Sequence, residues 1–103
     1  MRFRILEVAE IEAMEAAWWY DEQRRGLGDE FFSELGNSYA EIRNTPEGGS
    51  LLEGFDGPER IYRRQLKRFP YLVIYRIQQT EILVLAVSHA RRRPLYWVER
   101  LEG

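Results

Sequence analysis

The chain has no cysteine and a single histidine. The first absence removes disulfides and thiolate metal sites; the second leaves too little to build a histidine-based metal centre. No apolar run approaches the roughly 20 residues needed to cross a bilayer. The opening stretch Met1–Glu7 lacks the apolar segment and small-residue cleavage site of a secretory signal. No internal repeat and no low-complexity tract interrupts the sequence. These absences lead to an expectation of a cytoplasmic protein with no cofactor, no metal and no membrane partner.

What remains is a chain of 103 residues, enough for one domain with one modest core. Hydrophobic residues at 45% beside charged residues at 31% fit a folded, soluble domain and exclude a disordered one. The net charge of −2 conceals an asymmetry. Residues 1–57 carry five arginines against thirteen acids, a net −8, and residues 58–103 carry ten basic residues against four glutamates, a net +6. An acidic layer and a basic layer within one domain are the expectation, with a pair of solvated glutamate-rich helices as the plainer account of the first half.

Pattern gives the element order. Arg2–Val8 alternates as a short strand. Glu10–Arg25 has no glycine or proline, and Ile11, Met14 and Trp18 recur at helical spacing, which predicts a helix with those three side chains in the core. Gly26-Leu27-Gly28 breaks it. A second helix to about Arg43 carries the stripe Leu27, Phe31, Leu35, Tyr39 and Ile42, and Pro46, Gly48 and Gly49 end it. So short a junction predicts an antiparallel helical hairpin. Arg60–Arg68, Tyr71–Ile77 and Glu81–Ser88 read as strands with short connections at Phe69-Pro70 and Gln78–Thr80, hence an antiparallel meander. Leu95–Leu101, after Pro94, is expected as a short final helix. The predicted fold is α+β, in the order β-α-α-β-β-β, with the hairpin packed on one face of an antiparallel sheet and Phe31, Leu35, Ile74, Leu83 and Leu85 also buried.

The densest chemistry follows the last strand. His89 is followed by Arg91, Arg92 and Arg93, then Pro94, Tyr96 and Trp97. Polar groups at the end of a buried strand stand on a rigid support and still meet water, which suits binding or catalysis. Plainer roles stand beside that one. His89 caps a strand end, the arginines form a solvated edge or pair with the acidic helices, and Tyr96 and Trp97 pack the tail.

Three stretches carry a resemblance: Trp19–Phe32 at the helix junction, Arg68–Tyr75 at the entry to the central strand, and His89–Trp97 after the last strand. Together they cover nearly the whole chain and resemble the RelE/ParE superfamily of toxins from type II toxin–antitoxin systems, most closely the ParE branch, often labelled plasmid stabilization proteins. The resemblance implies a growth-arresting toxin neutralised by a cognate antitoxin in an oligomer of toxin–antitoxin units. For the ParE branch it implies inhibition of DNA gyrase; for RelE-like members, cleavage of mRNA on the ribosome. A degenerate module that binds antitoxin without toxicity is a third reading.

Metal-independent RNA cleavage needs a base for the 2′-hydroxyl, cations for the charged transition state and a proton donor for the leaving oxygen. His89, Arg64, Arg68, Arg91 and Tyr96 are the candidates. The RelE pattern carries an arginine just after the tyrosine of the central strand, where this chain has Leu72, and its lysines in the preceding strand are matched only loosely by Arg63 and Gln65. A binding toxin is therefore favoured. Its contact residues are expected to be Arg63, Arg64, Lys67, Arg68, Arg91, Arg92, Arg93, Tyr96 and Trp97, facing antitoxin carboxylates or the target.

Overall fold

The computed structural model describes residues 1–101. Strand β1 (Arg2–Ile5) is followed by helices α1 (Glu7–Gln23) and α2 (Leu27–Asn44) and a 3-10 turn at Pro46–Gly48. Strands β2 (Ser50–Leu51), β3 (Arg60–Gln65), β4 (Tyr71–Ile77) and β5 (Glu81–His89) come next. The expected α+β architecture is present, with one addition, the two-residue β2. The sheet order is β1-β5-β4-β3-β2. The meander β3-β4-β5 is antiparallel, as its short connections require. β1 pairs parallel to β5, so the sheet is mixed rather than antiparallel throughout. No hairpin ties β1 to its neighbour, because the helices and the meander separate them in sequence.

The helical hairpin turns on two glycines. Gly26 sits at φ +90°, a conformation that side chains disfavour. At Gly28 the helices are so close that a Cβ would lie 2.5 Å from the Ala17 carbonyl oxygen. The Gly28 N–H donates to Asp21 Oδ1 at 2.7 Å, satisfying one of the orphan donors at the start of α2.

α1 is oriented opposite to the expectation. Its buried face is Ala9, Ala13, Ala16 and Ala17, while Ile11, Met14 and Trp18 are 45%, 62% and 70% exposed. Alanine has the same helical spacing as the larger residues, and its small side chain permits the close approach seen at Gly28. Both sets are apolar, so hydrophobic period alone could not choose between them. Phe31, Leu35, Ile74, Leu83 and Leu85 are buried as expected.

The sheet is covered on both faces. Tyr62, Val73, Tyr75, Ile82, Val84 and Val87 face the helices, and Ile61, Ile74, Leu83, Leu85 and Ala86 face Trp97 and the loop around Phe55. In the β4/β5 register Ile74 pairs with Ala86 and Tyr75 with Val84, which leaves Leu85 as an extra residue. That bulge shifts the alternation of β5, so that Val84 and Val87 lie on one face. The final segment is a 3-10 turn at Val98–Leu101, not a helix from Leu95. Leu95 takes φ +60°, which breaks any helix begun at Pro94.

Candidate functional site

The end of β5 lines a cleft of about 290 Å³ on the sheet face away from the helices. Arg63 of β3, Leu72 of β4, His89, Arg92, Arg93 and Tyr96 border it, with Trp97 beneath. Alternation puts Arg63 and Leu72 here, since Ile61 and Ile74 point to the same side. The His89 ring stands edge-on to Tyr71 at 5.2 Å, and its Nδ1 accepts the Arg91 N–H at 3.0 Å. His89 thus shapes the turn that leaves the strand, while its ring turns to the helix-side face, where its strand partner Tyr71 packs with Tyr20 and Phe31.

A second groove, of about 420 Å³, lies between α2 and β3. Here the basic half of the sequence meets the acidic half. Arg64 lies 3.6 Å from Glu41, and Arg68 donates to Glu30 at 2.6 Å. Glu34 accepts the backbone N–H groups of Lys67 and of Arg68, the latter at 3.0 Å. The Arg68 hydrogen bond holds the Glu30 carboxyl below its ordinary pKa. Arg60 pairs with Glu47 in the same manner. Much of the charge asymmetry is therefore matched within the fold.

The five residues proposed for nuclease chemistry do not converge. Arg64 and Arg68 line the α2/β3 groove, Tyr96 borders the cleft on the opposite sheet face, and the His89 ring is packed on Tyr71. Tyr96 is also committed elsewhere. Its hydroxyl donates to Glu12 Oε2 at 2.6 Å, and burial, followed by that bond, raises its pKa and keeps it protonated. Trp97, expected as a partner contact, is 1% exposed and packs against Phe55, so it is a core residue. Its ring fills the sheet face that the helices leave bare. Among the described residues Arg63, Lys67, Arg91 and Arg93 make no ion pair and remain exposed.

Sequence reasoning missed Glu12. β1 ends at Ile5, so the outer edge of β5 is uncovered beyond the Leu6 N–H bond to Val84. Glu12 closes it, accepting the Val87 N–H at 3.0 Å. The same carboxylate takes two hydrogen bonds from Arg100, both 3.0 Å, as well as the Tyr96 hydroxyl. Arg92 reaches it at 3.6 Å and lies over the Tyr96 ring, 3.8 Å from its centroid. Arg100 further donates to the carbonyl of the bulge residue Leu85 at 2.8 Å. One carboxylate thereby fixes the tail, the bulge and α1 together. The signal was present: Ala9, Glu12, Ala13 and Ala16 share one inward-facing helical stripe.

Two helices on one face of a meander, with β1 added in parallel and a basic segment after the last strand, define the fold class of RelE/ParE toxins. A solved structure described as "Chromosomal ParDE TA system from P. aeruginosa" shares the fold at a TM-score of 0.75 and 13% identity, over 86% of this chain and 95% of that one. No curated protein matches the sequence. The family model described as "ParE toxin of type II toxin-antitoxin system, parDE" matches residues 11–94, most of the chain. The chain belongs to the ParE toxin family.

Proposed function

We propose that this ParE-type toxin acts in the cytoplasm by binding, with DNA gyrase as its target, and that a cognate antitoxin neutralises it. The observation that carries the reading is Leu72. It borders the cleft beside Arg63, at the position where the RelE pattern carries an arginine. An aliphatic side chain neither donates a hydrogen bond to a phosphate nor offsets its charge, and loss of one such stabiliser costs about 10²–10³ in rate. The split of the candidate catalytic residues between two grooves supports the same view.

The antitoxin contact rests on the unpaired cations. Arg63, Lys67, Arg91 and Arg93 are free to meet carboxylates of a segment that orders on binding. Arg64 and Arg68 are already matched by Glu41 and Glu30 and contribute less. Charge reversal at Arg63 and Arg91 is expected to weaken the complex and reduce its salt dependence.

One observation favours ribosome-dependent mRNA cleavage instead: Arg63, Arg92 and Arg93 border a single cleft at the strand end that carries His89. A gyrase supercoiling assay run beside a translating-ribosome cleavage assay separates the two readings. The expected result is loss of supercoiling activity that survives His89→Ala and disappears on combined replacement of Arg91 and Arg93. Message cleavage abolished by His89→Ala, with supercoiling untouched, reverses the reading.

A further inference from the structure

α1 carries an apolar stripe that no other described residue covers. Ile11, Met14 and Trp18, at i, i+3 and i+7, lie opposite the alanine face and are 45%, 62% and 70% exposed. Trp19, 56% exposed, lies outside the stripe, beyond Glu15 and Glu22 on the helix surface. At 1.5 Å per residue the stripe is about 11 Å long, two helical turns. Large apolar side chains gathered on one exposed helix face mark an interaction surface, and tryptophan is prominent among the residues that dominate such interfaces.

The surrounding charge selects the partner. Residues 7–23 contain Glu7, Glu10, Glu12, Glu15, Asp21 and Glu22 and no lysine or arginine. Glu12 turns inward to Arg100. Helical spacing places Glu10 and Asp21 along one side of the stripe and Glu15 and Glu22 along the other, and all four are exposed. A second copy of α1 laid on this face would set carboxylates against carboxylates, and an anionic lipid surface would be repelled in the same way. The occupant that suits the face is apolar along its centre and cationic on both flanks.

We infer that the Ile11–Met14–Trp18 face of α1 is a docking site for a basic amphipathic helix of a partner polypeptide, apolar at three- and four-residue spacing with lysine or arginine beside the stripe. This surface is distinct from the cationic cleft proposed to meet antitoxin carboxylates, and its charge preference is opposite. The inference rests on α1 alone and holds whether or not gyrase is the target.

The test uses three synthetic peptides of about 18 residues, long enough to overrun the two-turn stripe. One is an amphipathic leucine–lysine helix, one replaces its lysines with glutamates, and one scrambles the leucine–lysine composition. Binding to the full chain is read from tryptophan emission, which reports Trp18 and Trp19 because Trp97 is buried. The lysine peptide should bind at least tenfold tighter than either control and shift the emission to the blue. Trp18→Ala should weaken it about tenfold, the equivalent of about 1.4 kcal/mol, with no change in the unfolding midpoint. Glu15→Lys combined with Glu22→Lys should move the preference toward the glutamate peptide. Equal binding of the lysine peptide and its scramble, or binding unaffected by Trp18→Ala, overturns the inference. So does concentration-dependent self-association that Trp18→Ala abolishes, which would assign the face to a second copy.

Discussion

Replacing Glu12 with glutamine keeps the shape of the side chain and removes its charge. The carboxylate is 10% exposed and its partner Arg100 16% exposed, so water can do little to compensate either group. In the wild type the two carboxylate oxygens receive the Val87 N–H, the Tyr96 hydroxyl and two Arg100 N–H groups. Glutamine has one acceptor oxygen, and its amide would point donors at Arg100 or Tyr96. Breaking one side of a buried pair costs about 3–5 kcal/mol. The residual exposure and the surviving Arg100 bond to the Leu85 carbonyl reduce this to about 2–4 kcal/mol. For a domain of this size that lowers Tm by about 10 °C or more.

The assay is urea unfolding of Glu12→Gln, Arg100→Met and the double variant. The double variant should lose at least about 1 kcal/mol less than the two single variants combined, because removing both charges leaves neither one stranded. As a contrast, Glu47→Gln removes the exposed partner of Arg60, where the side chains are 68% and 53% exposed, and should cost less than about 1 kcal/mol. A Glu12→Gln loss as small as that of Glu47→Gln, or strict additivity in the cycle, would refute the account of Glu12 as the anchor of the tail.

Other consequences can be measured in the same way. Gly28→Ala should destabilise by about 1–3 kcal/mol, since the new methyl meets the Ala17 carbonyl and the helices must move apart. Trp97→Ala should cost about 3–5 kcal/mol in urea unfolding, because it empties the core behind the sheet. The Glu30 carboxyl has a folded pKa below its unfolded value, so its contribution is complete above about pH 4.3 and is lost as pH falls through the depressed value. Arg68→Gln should therefore flatten the acid limb of the stability profile while leaving its shape near neutral pH unchanged.

The meander was legible because its strands are rich in β-branched and aromatic residues and their connections are too short for anything but hairpins. The second helix was legible because only one of its faces is apolar. α1 has alanine on one side and Ile11, Met14 and Trp18 on the other, so its period was clear and its orientation was not. The direction of β1 depends on pairing across the length of the chain, and no local pattern encodes that. The bulge at Leu85 sits within an unbroken apolar run, where a one-residue phase shift leaves no trace. Glu12 was hidden among the glutamates of an acidic helix, although its alanine neighbours at three- and four-residue spacing point inward.

The segment after β5 shows why charge counted along a sequence overstates the charge a surface presents. Of its three consecutive arginines, Arg92 is drawn over Tyr96 toward Glu12, while Arg91 and Arg93 stay free. On the other side of the sheet Arg64 and Arg68 are held by α2. A phosphate in the cleft beside Arg63 and Arg93 is thus separated from Arg64 and Arg68 by a sheet packed on both faces. Catalysis requires its groups around one reacting atom, within about 3 Å of it. Binding tolerates dispersion, because each exposed cation contributes separately to a broad contact. The same arginines that cannot assemble into a single catalytic centre can therefore serve an extended interface, with Arg63, Arg91 and Arg93 as its accessible members.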